Sequence, residues 1–305
     1  MNKKHKMRMN WTDRIFMCAV YLFLAFFFFI TLYPMVFVLS ASFSDPDMVA
    51  SGEMLLLPVG FNLQAYQYIL RFKDIWVGYA NTIFYTVVGT LLNLLVTLPA
   101  AYALSRRDLK GRKFFMIMFM ITMYFSGGLI PGYLNIKSFG LLNTRMVLLV
   151  SGLVSVYNMI VARTFFHNTI PWELHEAASL DGASDTQTFT QIVLPLSKPI
   201  MAVMLLYYGV AHWNSYFSAM IYLRDRTKFP LQLFLREILL EAQSIMAGVE
   251  EAVSAEEISA LMKQAEVANQ IKYAIIVVST VPMLIIYPKL EKYFAKGVMI
   301  GSVKG

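Results

Sequence analysis

Residues Asn81–Phe114 read "NTIFYTVVGTLLNLLVTLPAAYALSRRDLKGRKF". From Asn81 to Leu104 the stretch carries no charge, and it then meets five cations: Arg106, Arg107, Lys110, Arg112 and Lys113. About 20 apolar residues suffice to cross a hydrocarbon core. In lipid the backbone must satisfy its own hydrogen bonds, which a helix does. The stretch therefore predicts a membrane-spanning helix that ends at a basic surface. Its polar residues, Thr82, Thr86, Thr90, Asn93 and Thr97, recur in steps of three and four and so share one helical face. That face turns inward, either to bond neighbouring helices or to wall a polar path. On the second reading, Thr86 and Asn93 are the path residues.

The same pattern recurs along the chain. Of its 305 residues, 58% are hydrophobic and only 15% are charged, whereas soluble domains carry roughly a quarter charged residues. The apolar residues gather in runs at 13–40, 77–104, 114–134, 141–165, 199–222 and 273–294. The predicted fold is an all-α polytopic membrane protein with six transmembrane helices. The first run, "FMCAVYLFLAFFFFITLYPMVFVLSASF", is too long for the core of a cleaved signal peptide and reads as a retained helix. Cys18 is the only cysteine, so no disulfide forms within the chain.

The net charge is +7. Its distribution points to membrane topology rather than to nucleic acid, because cytoplasmic loops retain Lys and Arg. With six spans and a cytoplasmic N-terminus, sixteen of the 26 Lys and Arg fall inside. They precede span one, fill the link after span two, flank residues 168–198 (Arg163, Lys198) and close the chain (Lys289, Lys292, Lys296, Lys304). Both termini are expected to be cytoplasmic, as tails 1–12 and 299–305 around a permease domain at 13–298. Outside, "SFSDPDMVASGEMLLLPVGFNLQAYQYILRFKD" predicts irregular chain and then a short helix near Ala65–Leu70. The long stretch 223–272 predicts one or two amphipathic helices.

No nucleotide-binding glycine loop, zinc-protease motif or nucleophile elbow is present. The four histidines, His5, His167, His175 and His212, lack metal-ligand spacing, so neither catalytic nor metal residues are expected. Span five, "LLYYGVAHWNSYFSAMIYL", sets Tyr208, His212 and Tyr216 on one face beside Trp213 and Asn214. Aromatic faces with a few hydrogen-bonding groups suit a sugar, and they equally suit an interfacial belt.

Between spans four and five lies "EAASLDGASDTQTFTQIVLPLSKP", Glu176–Pro199. Pro171 suits a helix start, with Glu173 and Glu176 near its positive end. Gly182 falls where a C-cap needs a left-handed residue. Ser184 and Gln187 have capping-box spacing for a second helix, which would run through Phe189 and Ile192 and break at Pro195. Ser197 and Pro199 then start span five. A helix–turn–helix of about 30 residues is long for a passive link and predicts a docked partner.

Glu176, Ala177, Ala178, Gly182, Ile192, Leu194 and Pro195 match, position by position, the signature of membrane subunits of ATP-binding-cassette importers. "GGLIPGYLNIKSFGLLNT", "ARTFFHNTIPWELHEAASLDGAS" and the ending "YFAKGVMIGSVKG" resemble the carbohydrate-uptake branch, and the likeness spans most of residues 13–305. The resemblance implies the type I (MetI-like) permease fold and a bacterial plasma-membrane location. It also implies a second permease as partner, making a heterodimer, two ATP-binding subunits and an extracytoplasmic solute-binding protein. ATP and magnesium would be bound by the ATPase partners, with no cofactor in this chain. It makes the helix around Glu176, Ala177 and Ala178 the coupling helix, with Asp181 and Gly182 at its turn, and it implies uptake of a sugar of the oligosaccharide class. His212, Trp213, Asn214 and Tyr216, with Thr86 and Asn93, are the candidate substrate contacts. A permease of this family for a non-sugar solute, and an ATP-independent secondary transporter, are the alternatives. The latter usually places ionisable residues at the membrane midplane, and these spans show no obvious buried Asp–Lys or Glu–Arg relay.

Overall fold

The computed structural model describes residues 10–251, 254, 268 and 270–288. Every regular element among them is helical. In chain order these are α1 Trp11–Phe43, α2 Pro46–Ala50, α3 Gln64–Arg71, α4 Lys73–Ser105, α5 Arg112–Tyr124, α6 Leu129–Ser138, α7 Arg145–Val150 and α8 Val156–Thr169. There follow α9 Trp172–Leu180, α10 Asp185–Leu196, α11 Lys198–Trp213, α12 Phe217–Tyr222, α13 Leu231–Glu251 and α14 Gln270–Pro288. Helices α1, α4 and α14 are each long and apolar enough to cross a membrane. Two bent pairs, α5 with α6 and α10 with α11, meet the same test when each is taken together.

Three predicted spans are interrupted. The run 114–134 does not continue as one helix: α5 and α6 meet at 113°. Gly128 sits at the break with φ 87° and ψ 177°, a backbone state open to glycine and closed to residues with a Cβ. The run 141–165 divides into α7 and α8 around Gly152, at φ 86°. The run 199–222 ends its first helix at Trp213 and resumes at Phe217. The helix predicted to break at Pro195 passes through it. A π turn at Thr188–Val193, in which the Leu194 N–H bonds Phe189 O, widens the helix where the Pro195 ring would crowd the Gln191 carbonyl. The chain turns instead at Ser197, where α10 and α11 meet at 84°.

The described residues fall into two compact units. One comprises residues 1–69 and 239–278. In it Phe43 stacks on Tyr66 at 5.0 Å, Ser42 Oγ bonds the Tyr66 hydroxyl at 2.8 Å, and Gln270 Nε2 donates to Ser44 O at 2.8 Å. The short helix expected near Ala65–Leu70 is present as α3. The other unit comprises 70–238 and 279–305. Its core forms where α4, α8, α10 and α11 bury Leu98, Tyr102, Met159, Phe166, Val193 and Met204. Near the start of α4 Asn81 Nδ2 donates to Thr227 O and Phe229 O, and Asp225 lies in the loop that leads into α13. Residues 1–9 of the expected tail 1–12, the whole of the expected tail 299–305, the closing lysines Lys289, Lys292, Lys296 and Lys304, most of the second amphipathic helix expected in 223–272, and the end of the sixth span lie outside the described residues.

Candidate functional site

Helix α9 is closed at both ends by local chemistry. Pro171 is its N-cap in extended conformation. At the other end Gly182 takes φ 76°, its N–H bonds Ser179 O at 3.1 Å, and Ala183 N–H bonds Ala178 O at 2.9 Å. These paired bonds consume carbonyls that a helix end otherwise leaves unmet. The chain re-enters helix at once: Gln187 N–H donates to Ser184 Oγ at 3.3 Å, and Ser184 N–H to Gln187 Oε1 at 2.8 Å. The predicted turn and capping box are both present.

The two faces of α9 differ. Leu174 packs on the core and Ala178 is 4% exposed. Glu173, Glu176 and Ala177 face outward, as do Asp181 and Gly182 beyond the helix end. Leu180 is 89% exposed, an apolar side chain held clear of the fold. The two alanines of the motif therefore differ: Ala178 lets α9 lie close to its own bundle, and Ala177 is exposed. Ile192 and Leu194 are half-buried and Pro195 is exposed, so the second half of the motif shapes and seats α10.

A clasp ties α9 and α10 to the end of α4. Trp172 stacks on His175 (5.2 Å), His175 on Tyr102 (5.8 Å) and Tyr102 on Phe189 (4.9 Å). Arg106 closes the stack. It donates Nη1 to Tyr102 Oη at 3.2 Å, pairs with Asp185 at 2.8 Å and grips Asp108 through two nitrogens. Those bonds hold the Asp108 carboxyl below its usual range. Burial, with the Arg106 charge adding to it, pushes the His175 imidazole below its ordinary value. His175 is thus a neutral ring in an aromatic stack.

Higher along α4, Thr82, Asn93 and Thr97 of the polar face are bonded within the bundle. Thr82 Oγ1 accepts from Leu231 N–H at 2.8 Å. Thr97 Oγ1 meets the Tyr208 hydroxyl at 2.8 Å, and that hydroxyl accepts from Ser155 N–H at 3.2 Å. Asn93, fully buried, donates Nδ2 to Gly152 O at 3.1 Å and Leu153 O at 2.7 Å. The interruption between α7 and α8 frees those carbonyls, and one amide satisfies both. Asn93 Oδ1 remains as acceptor for His212 Nε2–H at 2.7 Å. Gly89 makes room for that ring: a Cβ there would lie 2.5 Å from His212 Cε1 and Nε2.

Beyond this node a cavity of about 310 Å³ is lined by Trp213, Asn214, Gln232, Tyr287 and several aliphatic side chains. Trp213 is buried, with Nε1–H donating to Ser279 O at 3.0 Å. Asn214 is exposed. The mixture of ring faces and amides can hold a hydroxylated ligand.

Comparison with known proteins decides the family. Residues 75–225 match the binding-protein-dependent transport system inner membrane component family. The polygalacturonan/rhamnogalacturonan transport system permease protein YtcP of Bacillus subtilis (strain 168) is 39% identical over 293 residues, 96% of this chain and 99% of its own. The chain belongs to this permease family. Protein LplC of the same organism is 37% identical over 99% of both chains. A solved bacterial ABC transporter involved in the import of the acidic polysaccharide alginate contains a chain that is 36% identical, with TM-score 0.80, over 95% of this chain and 100% of that one. Members of the family are membrane-embedded transport permeases, not enzymes, and the fold is the all-helical MetI-like one.

Of the permease's sequence-predicted substrate contacts, the structure joins Asn93 to His212 in an internal bond and sets Trp213 with Asn214 at the cavity. Tyr216 stands apart, with the Arg236 guanidinium 5.7 Å from its ring centre. Thr86 Oγ1, like Thr90 Oγ1, is buried without a hydrogen-bond partner among the described residues. Two features escape a reading of the motif alone. The clasp joins residues about 70 apart in sequence, for which no local signal exists. Leu180 had a signal: it lies four residues after Glu176, in phase with the outward face and out of phase with Leu174 and Ala178.

Proposed function

We propose that the chain is one of two membrane subunits of an ATP-driven importer in the bacterial cell membrane, and that its cargo is an acidic oligosaccharide delivered by an extracytoplasmic binding protein. The observation that carries this reading is the outward face of α9: Glu176, Ala177 and the exposed Leu180, on a helix clasped from behind. It is a surface built to be gripped. A second, similar permease completes the path. Two partner subunits bind ATP and magnesium, and one receives α9 in a cleft. When the ATPases close, α9 moves, and the clasp passes that motion to α4. The cycle runs because the partners bind one arrangement of the bundle more tightly than the other.

Six crossings with both termini cytoplasmic, tails 1–12 and 299–305 and a coupling segment at 168–198 is the topology that places sixteen of the 26 Lys and Arg on the inside. The acidic class of cargo is supported by the polymers named for two relatives, polygalacturonan and alginate. The test is a proteoliposome carrying the permease pair with its ATPases. Binding protein loaded with oligogalacturonate is expected to stimulate ATP hydrolysis and uptake, while neutral malto-oligosaccharide gives neither. Equal stimulation by both sugars would remove the acidic assignment. Purification of the chain without any ATPase partner would remove the ATP-driven one.

A further inference from the structure

A second cavity, of about 610 Å³, opens at the link between α4 and α5. Arg107, Leu109, Gly111, Arg112, Lys113 and His167 line it, with no carboxylate among them. The nearest acid in sequence, Asp108, is already held by Arg106. Among the described residues Arg107, Arg112 and Lys113 form no ion pair. Arg107 only overlies the Trp172 ring at 6.0 Å, and Arg112 Nη1 reaches the Arg106 carbonyl at a long 3.5 Å. Gly111, at φ 78°, starts the 13-residue helix α5 without a side-chain cap, adding the positive end of that helix. Like charges gathered around a hollow repel one another and create a potential that an anion relieves.

The surface next to the cavity distinguishes between anions. Along α5, directly after Arg112 and Lys113, Phe114, Phe115, Ile117 and Met118 are exposed. A soluble phosphate would use the cations and leave this apolar face untouched. A phospholipid uses both, with its headgroup in the hollow and its acyl chains along α5.

We infer that the hollow between Arg107, Arg112, Lys113 and His167 binds the phosphodiester headgroup of an anionic phospholipid such as phosphatidylglycerol. The inference rests on the proposed reading in one respect, that α5 enters the membrane from this link. Topology is checked separately: Lys110→Cys in a Cys18→Ser background is expected to react only with reagent supplied from the cytoplasmic side, so a wrong topology and a wrong lipid site give different results.

The test is native mass spectrometry of the whole detergent-solubilised complex titrated with dioleoyl phosphatidylglycerol, with dioleoyl phosphatidylcholine, or with phosphatidylglycerol plus excess inorganic phosphate. Each surface cation is worth about a fivefold change in affinity. The R107Q/R112Q/K113Q variant is therefore expected to bind phosphatidylglycerol about a hundredfold more weakly, and a charge-matched R71Q/K73Q/K137Q control is expected to bind it normally. Should the triple variant not assemble, Lys113→Gln alone, an exposed side chain, is expected to give about a fivefold loss. Equal affinity in wild type and variant, or an equal loss in the control, overturns the site. Displacement of the lipid by inorganic phosphate, or equal binding of phosphatidylcholine, overturns its assignment to an anionic lipid.

Discussion

Leu180→Ala separates docking from folding. The side chain is 89% exposed, so truncating it removes almost nothing from the free chain, and stability should change by less than about 0.5 kcal/mol. If a partner cleft covers Leu180, the buried carbons lost on truncation are worth about 0.8 kcal/mol each, or about 2 kcal/mol after partial relaxation. That corresponds to about a thirtyfold rise in Kd. The assay titrates labelled ATPase subunit onto the permease pair in nanodiscs, with thermal unfolding of the permease measured alongside. The contrasting variant is Ala178→Leu, two residues earlier and 4% exposed. Overpacking there should cost about 1–3 kcal/mol of stability and lower Tm. An unchanged Kd for Leu180→Ala refutes the docking role. A Tm loss for Leu180→Ala, or a docking loss without a Tm loss for Ala178→Leu, means the faces of α9 have been assigned the wrong way round.

Three further outcomes are expected. Gly182→Asp meets open space, since nothing lies within 4 Å of a built Cβ. It therefore carries only the left-handed backbone cost of about 1–2 kcal/mol and should leave assembly largely intact while lowering transport per ATP hydrolysed; a wild-type ratio would exclude a coupling role for the turn. Gly89→Ala drives a Cβ into the His212 ring and breaks its bond to Asn93, at a cost of about 1–3 kcal/mol, visible as a lower Tm; an unchanged Tm would show that the node is not rigid. His175 has a folded pKa below its ordinary 6.5, so the unfolded chain binds its proton first as pH falls. Its contribution to stability is full above about pH 6.5 and is lost as pH drops through the folded value. His175→Phe keeps the stack and should flatten the dependence of Tm on pH below 6.5; identical slopes would exclude His175 as its source.

The fold was legible where the signal is local or periodic. The stripe on α4, the capping box at Ser184 and Gln187 and the left-handed Gly182 all follow from spacing within a few residues. The interruptions of the third, fourth and fifth spans were not, because an apolar run reads alike whether straight or bent. The clue was present in Gly127–Gly128 and Gly152, but what stabilises the second break is Asn93, about 60 residues away. Whether a threonine face walls a path or bonds neighbouring helices likewise depends on distant partners: Leu231 N–H, the Tyr208 hydroxyl and the partners of Asn93 engage three of its five polar residues, while Thr86 and Thr90 have none among the described residues. At Pro195 the local rule for proline was overridden by the π turn before it, and the corner moved to Ser197.

That corner has a mechanical consequence. A bend of 84° at a single residue would by itself be free to flex. Here both arms of the angle are fastened to the same strut. Phe189 and Asp185 on α10 are held by Tyr102 and Arg106, while Tyr208 and His212 on α11 are held by Thr97 and Asn93. The three members form a triangulated truss with Ser197 at its apex. A triangle cannot shear without lengthening a side, so the angle between α10 and α11 is fixed for as long as these contacts hold, and any change in it must break one of them.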